Sequence, residues 1–303
     1  MTTIRRRHVD EPVQNGKASR PQEAGEYTMG RTATETGRLM QQAELVQSFT
    51  RHLLEDAGIG SGMKVLDLGT GAGDVAMLAA RLVGPTGAVV GIDTNPAVLA
   101  VARDRCRAAG LAQVTFVEGD LRTAAVDDDF DAVVGRYVLL YVPDPVEALR
   151  ILARHVRPGG VLAFQEVEMS MVQAYLQHAG FPDLAVTTFS WAVEAFRRSG
   201  ANPSMGFALY RAFQEAGLGI PQMAHHAMLG GPPEWPGFEM TADLFRSILP
   251  LLEQYGIATA QDVDVETLAD RYRAMIAELG HPFIATPCVT AWGRVASAHP
   301  LGA

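Results

Sequence analysis

Three glycines at alternate positions follow a short apolar run, and they could let a ligand lie against the main chain. The run ends in Asp67 and Leu68, and the turn after it contains Thr70 and the glycines Gly69, Gly71 and Gly73. Glycine has no Cβ, so this turn can bend sharply and admit a ligand close to backbone atoms. The carboxylate of Asp67 would suit a cationic ligand.

The residue after the third glycine argues against a dinucleotide. The dinucleotide fingerprint needs a glycine where this chain has Asp74. A carboxylate there would stand at a helix N-terminus, where a pyrophosphate must dock. The pattern favours a ligand without phosphate, while a nicotinamide-dependent oxidoreductase and a non-catalytic ligand-binding protein remain as alternatives.

Further polar residues end the later apolar runs. Asp93 could accept hydrogen bonds from both hydroxyls of a ribose, and Asp120 could accept one from an adenine amine. The complete set is Asp93 with Thr94, Asp120 with Leu121, and Gly135 with Arg136. Open α/β sheets bind ligands at the carboxyl ends of their strands, where this set is predicted to lie.

Alternating strands and helices must position these residues. The patterns predict strands over 64–68, 88–92, 114–117, 131–134 and 161–166, and helices over 74–83, 96–109 and 145–157. The strand runs are continuously apolar, which suits a parallel sheet buried on both faces, and the alternation predicts a doubly wound α/β fold. Beyond residue 167, we expect helices over 168–202, 205–216 and 231–280, and strands over 222–229 and 287–294.

We divide the chain into four parts on this basis. Residues 1–26 are a flexible N-terminal arm, and 27–62 are an N-terminal helical segment. Residues 63–167 form the ligand-binding core. Residues 168–303 complete the sheet and carry two helical inserts, 168–202 and 231–280, whose methionines and aromatic residues predict an apolar acceptor pocket.

The motifs together resemble the class I S-adenosylmethionine-dependent methyltransferases, in particular those acting on quinones and natural products. The resemblance rests on the glycine motif from Asp67, on Gly91–Asp93, Gly119–Leu121 and Arg157–Gly160. It implies a Rossmann-like seven-stranded sheet, mostly parallel with an antiparallel last strand. It also implies a donor with its methionine end at the glycines, its ribose at Asp93 and its adenine at Asp120 and Leu121.

An N-terminal segment extends the resemblance. Tyr27 and Arg31 lie in a Y-x-M-G-R run that is similar to one folding over the donor in related enzymes. Both are therefore predicted to bind the donor.

The charge and the residues that follow the fourth strand favour a small-molecule acceptor, with a protein side chain as the alternative: Gly135–Val138 stands where nucleic-acid amino-methyltransferases of this fold carry N-P-P-Y. The formal net charge is −9, which argues against nucleic acid as the main partner. No apolar run is long enough to span a membrane, and two cysteines provide neither a disulfide framework nor a structural zinc site. We expect a cytoplasmic enzyme without a metal, and leave a homo-oligomer open.

Carboxylates near the fifth strand are the first candidates for catalysis. Glu166 and Glu168 could act as a base or stabilise a cation, and His178 is a third candidate. An isoprenoid acceptor is one option. If it carried a diphosphate, Mg²⁺ would be needed, with arginines as candidate anchors: Arg197, Arg198, Arg211 and Arg246.

Overall fold

The computed structural model describes residues 46–120 and 129–296. The predictions for Tyr27, Arg31 and Leu121, and for the arm 1–26, lie outside the described residues. Helix α1 is described over 46–56. No helix in the described ranges is both long and apolar enough to cross a membrane.

Seven strands and nine further α-helices follow α1 in the described ranges. The strands are β1 Lys64–Leu68, β2 Ala88–Asp93, β3 Val114–Glu118, β4 Phe130–Arg136, β5 Val156–Val167, β6 Gln222–Gly230 and β7 Phe283–Arg294. The helices are α2 Asp74–Val83, α3 Pro96–Ala108, α4 Pro145–Arg154, α5 Ser170–His178, α6 Asp183–Arg198, α7 Met205–Glu215, α8 Gly237–Gln254, α9 Ala260–Val263 and α10 Val265–Leu279. A short 3₁₀ turn spans Leu139–Tyr141.

The strands form one sheet in the order β3-β2-β1-β4-β5-β7-β6. Strands β1 to β5 pair in parallel, and β7 is antiparallel to both of its neighbours. The prediction of a doubly wound, seven-stranded sheet with an antiparallel last strand is confirmed. The chain reverses its direction of winding between β1 and β4, so a crevice is expected there.

The predicted bounds of α4, β5 and β7 were wrong. Helix α4 ends at Arg154 rather than 157, and β5 begins at Val156, because Val156 pairs with Phe130 ahead of a register shift. Pro158 is tolerated within β5 because the ladder is interrupted there. Strand β7 likewise begins at Phe283 rather than 287, ahead of Pro287.

Hydrophobic residues cover both faces of the sheet. One face packs against α1 and α2 through residues such as Leu54, Val75 and Val134. The other packs against α4 to α8 and α10 through residues such as Leu149, Phe213 and Phe245. The carboxyl ends of β1 to β5 lie together along one edge of this covered sheet.

Candidate functional site

The glycine turn joins β1 to α2 through three glycines in the left-handed region. Their φ angles are 60° at Gly69, 53° at Gly71 and 84° at Gly73. A Cβ on Gly69 would lie 2.5 Å from Val138 Cγ2, whereas a Cβ on Gly71 would meet no protein atom within 4 Å. Gly69 is therefore packed against protein, and Gly71 borders open space that a ligand can occupy.

Asp67 lies beneath the turn and is fully buried. Its Oδ2 accepts a hydrogen bond from Thr70 Oγ1 at 2.6 Å, while Oδ1 has no partner among the described residues. Burial raises the pKa of Asp67 to about 7, against the lowering effects of Thr70 and Arg136. A buried carboxylate oxygen without a partner is costly, which marks this strand end as a site rather than plain core.

Asp93, at the end of β2, ties the turn to the next strand. Its Oδ2 accepts a hydrogen bond from Gly71 N at 3.0 Å, and Oδ1 accepts one from Asn95 N at 2.9 Å. Thr94 beside it is exposed. Asp93 pairs with Glu118 on β3, so Asp120 lies two residues farther along the same edge. The predicted ribose and adenine positions are therefore neighbours at the carboxyl edge.

Two arginines converge on Asp74 at the start of α2. Arg105 Nη2 lies 2.7 Å from Asp74 Oδ1, and Arg136 Nη2 lies 3.9 Å from Asp74 Oδ2. Arg136 Nη1 also donates a hydrogen bond to Thr50 Oγ1 of α1 at 3.2 Å. Gly135, just before it, is buried between Leu68 and Phe164 of the adjacent strands. This group brings α1, β4 and the glycine turn together.

Sequence reasoning missed the buried Gln165 and the residues around it. Gln165 Oε1 accepts a hydrogen bond from Thr50 Oγ1 at 2.8 Å, and Nε2 donates to Tyr137 Oη at 3.4 Å and to Cys288 Sγ at 3.4 Å. Tyr137 has a φ of 57°, a strained conformation for a bulky residue. The available signal was a glutamine directly after the apolar run 161–164 of β5.

Glu166 is fully buried and holds the loop after β4. Its Oε1 accepts hydrogen bonds from Val138 N at 3.0 Å and Leu139 N at 2.8 Å, and its Oε2 accepts one from Leu140 N at 3.3 Å. Burial raises the pKa of Glu166 to about 8, while these three bonds lower it. This arrangement is that of a positioning residue, and the predicted catalytic role of Glu166 stays a prediction.

Glu168 is also fully buried but serves a different junction. Its Oε1 accepts hydrogen bonds from Ser170 N at 3.1 Å and Ser170 Oγ at 2.5 Å, and its Oε2 accepts one from Phe207 N at 2.9 Å. One carboxylate thus caps the first turns of both α5 and α7. The structure does not bring Glu166 and Glu168 onto a common partner.

The remaining catalytic candidate, His178, is exposed at the end of α5. Its Nδ1 lies 2.8 Å from the carbonyl oxygen of Ala174, one turn earlier in the same helix. Nothing in these contacts links it to the glycine turn.

Aromatic residues of the second insert pack against strand β7. Phe238 and Tyr272 are buried and contact Phe283 of β7, at ring-centroid distances of 5.9 Å and 4.9 Å. These two rings belong to the core, and the predicted acceptor pocket stays a prediction. Within the described ranges no group of three or more histidines, cysteines or carboxylates is arranged to hold a metal.

Three of the four arginines proposed for a diphosphate already have acidic neighbours. Arg198 pairs with Glu194, Arg211 with Glu215, and Arg246 with Asp243. Each pair lies within one helix and is exposed, and the predicted diphosphate site stays a prediction.

A glycine turn at the topological switch point, flanked by acidic strand ends, defines a Rossmann-like protein that binds a small ligand. The model of the family "Methyltransferase domain" matches residues 59–217, slightly more than half of the chain. The chain belongs to this family, so the resemblance found in the sequence is confirmed.

Curated relatives agree with the family. The chain is 41% identical over 118 residues to the ubiquinone/menaquinone biosynthesis C-methyltransferase UbiE of Pseudomonas putida (strain GB-1), covering 38% of the chain and 46% of that relative. It is 37% identical over 131 residues to UbiE of Idiomarina loihiensis, covering 41% and 52%. The chain thus spans about half the length of these relatives.

Solved structures support the fold alone. A Bacillus halodurans C-125 protein named as a candidate methyltransferase superposes with a TM-score of 0.54 at 20% identity, covering 82% of this chain and all of that one. YcgJ of Bacillus subtilis gives a TM-score of 0.51 at 17% identity, covering 83% and all.

Proposed function

We propose that the chain is an S-adenosylmethionine-dependent methyltransferase acting on a small, largely apolar acceptor. The observation that carries the proposal is at Gly71: no protein atom lies within 4 Å of the position that its Cβ would take, and its N–H donates to the Asp93 carboxylate. The family match makes a methyl donor the ligand expected in that space.

The charges around the turn suit this donor better than a dinucleotide. Asp93 already accepts the Gly71 N–H that a pyrophosphate would use, and Asp74 begins α2. A cationic sulfonium nucleoside with ribose hydroxyls is compatible with the Asp93 carboxylate, whereas a pyrophosphate would have to displace that carboxylate from Gly71 N.

The donor, when bound, supplies a methyl group on a positively charged sulfur. In this proposal the backbone of Gly69–Gly73 lies against its methionine end, Asp93 accepts from the ribose, and Asp120 accepts from the adenine. The residues Thr70, Thr94 and Gly135 shape the adjoining backbone. Tyr27, Arg31 and Leu121 complete the predicted donor set.

In this proposal the acceptor binds beside the loop after β4. Glu166 holds residues 138–140 and Gln165 holds Tyr137, so this loop is fixed before an acceptor arrives. Alignment of acceptor and methyl accounts for much of the catalysis in such a transfer. Since Glu166 and Glu168 are occupied by backbone N–H groups, we propose that they position loops and helices, and that the acceptor is one nucleophilic enough to need no carboxylate base.

A reduced quinone ring is such an acceptor and fits the activity for which the UbiE relatives are named. Its electron-rich carbon would form the new C–CH₃ bond as the S–CH₃ bond breaks, and the displaced ring proton would pass to water. The partial coverage of those relatives leaves natural-product and isoprenoid acceptors as other members of this apolar class.

Calorimetry with S-adenosylhomocysteine, and with NADH for comparison, tests the donor. Binding of S-adenosylhomocysteine and not of NADH is expected, and the reverse would refute the proposal. Turnover of labelled donor with 1,4-naphthohydroquinone as the acceptor probe would separate an enzyme from a non-catalytic binding protein.

A further inference from the structure

A groove with a volume of about 520 Å³ lies between α3 and β3. The residues that line it fall within 103–107 on α3, 110–112 in the turn after it, and 114–116 at the start of β3. Asp93 precedes the first turn of α3, and Asp120 follows the end of β3. The groove therefore lies at the opposite ends of these two elements from the residues assigned to the donor. Its volume is in the range of small-molecule pockets.

The floor of the groove is apolar. Cys106 is buried, and Leu111, Val114 and Phe116 are each half-buried beside it. Strand β3 is at the end of the sheet, so no further strand of the described ranges covers this side of it. An apolar ligand body would gain free energy by covering this floor.

The rim of the groove carries positive charge. Arg103 and Arg107 are exposed and stand four residues apart, on one face of α3. Of the nine described residues that line the groove, none is acidic, in a chain whose formal net charge is −9. Asp104, outside the lining, lies 2.7 Å from Arg107 and balances its charge. Arg103 supplies the remaining positive charge beside the apolar floor.

Arg103 is held over the edge of β3. Its Nη2 donates a hydrogen bond to the carbonyl oxygen of Phe116 at 3.2 Å. Since a guanidinium has five N–H donors, Arg103 can keep this hydrogen bond and bind an anion as well. A carboxylate matches the planar fork of arginine with two parallel hydrogen bonds. Because one arginine of the rim is balanced by Asp104, a singly charged carboxylate suits the rim better than a doubly charged phosphate.

We propose that this groove is a second ligand site, which binds a carboxylate carried on an apolar ring system. Arg103 pairs with the carboxylate, and the apolar floor contacts the rings. The inference goes beyond the proposed function and does not depend on it, because no residue of the groove is among those assigned to the donor or to the loop after β4.

Two ligands of similar shape and different charge test the proposal. 1-Naphthoate carries a carboxylate on an apolar ring system, and 1-naphthamide has a neutral amide in its place. Calorimetry of the full chain, without donor, should show that 1-naphthoate binds at least tenfold more tightly. Arg103→Met should lower the affinity for 1-naphthoate about tenfold, the loss expected for one charge-assisted pair. The affinity for 1-naphthamide should not change.

Two further variants serve as controls. Arg81→Met removes an exposed cation at the end of α2 that acts electrostatically on Cys106 without lining the groove. This variant should bind 1-naphthoate as the unsubstituted protein does. Arg103→Lys keeps the charge without the planar fork, should give a smaller loss than Arg103→Met, and serves if that variant does not fold.

S-adenosylhomocysteine and 1-naphthoate are expected to bind at the same time. Displacement of 1-naphthoate by S-adenosylhomocysteine would put it at the donor edge and overturn the proposal. Absence of 1-naphthoate binding, equal affinities for the two naphthalene ligands, or an equal loss in Arg103→Met and Arg81→Met would overturn it as well. Whether S-adenosylhomocysteine binds at all is a separate result, which bears on the proposed function.

Discussion

Gln165 and Glu166 are neighbours on β5, and they hold the same loop from opposite faces of the sheet. The carbonyl oxygen of Gln165 accepts from Tyr137 N at 2.8 Å, and its side chain donates to the hydroxyl group of Tyr137. The Glu166 carboxylate accepts from the next three backbone N–H groups. Four consecutive residues after β4 are therefore fixed by two adjacent residues, which explains how Tyr137 is kept at a positive φ.

Glu166→Gln should make stability depend less on pH. The pKa of Glu166 rises from 4.5 to about 8 on folding, so its contribution is full below pH 4.5 and is lost as pH rises through 8. The expected slope is about 1.4 kcal/mol per pH unit within that window. Glutamine does not titrate, so urea unfolding at pH 5 to 8 should show a flatter profile for the variant.

Burial also raises the pKa of Asp67, to about 7, so its contribution to the free energy of unfolding is lost as pH rises through 7. The interval from pH 7 to 8 therefore isolates Glu166. Glu147→Gln, at an exposed surface ion pair, is the matched control and should follow the unsubstituted protein. Parallel profiles for Glu166→Gln and the unsubstituted protein would contradict this account of Glu166.

Glu168→Ala should lower the free energy of unfolding by about 2–4 kcal/mol. The substitution leaves Ser170 N and Phe207 N, at the starts of α5 and α7, without their buried acceptor. Chemical denaturation measures the change. Glu194→Ala breaks only an exposed pair with Arg198 and should cost about 0.5 kcal/mol or less. Similar values for the two variants would argue against the double cap.

Asp93→Ala should weaken binding of S-adenosylhomocysteine by about 2–3 kcal/mol, because it removes a charge-assisted contact with the ribose. It also removes the acceptor for Gly71 N and Asn95 N, so the midpoint of thermal unfolding must be measured beside the calorimetry. A variant that is fully folded and binds with unchanged affinity would refute the ribose assignment.

The donor half of the fold could be predicted because its signals are local. A glycine motif between an apolar strand and a helix identifies its own turn, and Asp93 and Asp120 follow from their places at strand ends. Strand β1 and helix α2 were predicted with their observed boundaries, because each is bounded by clear turn or cap residues.

The partners of the buried carboxylates could not be predicted in this way. Glu166 bonds to residues 26 to 28 positions earlier, and Glu168 bonds to Phe207, 39 positions later. A carboxylate at a strand end looks catalytic in sequence, because sequence does not show that backbone N–H groups from distant loops meet it. Gln165 was missed for the same reason, since its partners Thr50 and Cys288 lie 115 positions earlier and 123 positions later in the chain.

Gly71→Ala offers the most direct test of where the ligand lies. Its φ is 53° and no protein atom lies within 4 Å of the position that a Cβ would take, so the methyl group would project into the space assigned to the donor. The backbone cost should be about 1–2 kcal/mol. Gly110, at the end of α3, also has a positive φ of 69° with nothing within 4 Å, so Gly110→Ala has a similar backbone cost away from the site.

The two alanine variants should therefore lose similar stability in chemical denaturation but differ in calorimetry. Gly71→Ala should lose at least tenfold in affinity for S-adenosylhomocysteine, because the Cβ competes with the ligand for the same space. Gly110→Ala should bind as the unsubstituted protein does. Equal affinities in the two variants would place the ligand away from Gly71 and would remove the observation on which the donor assignment rests.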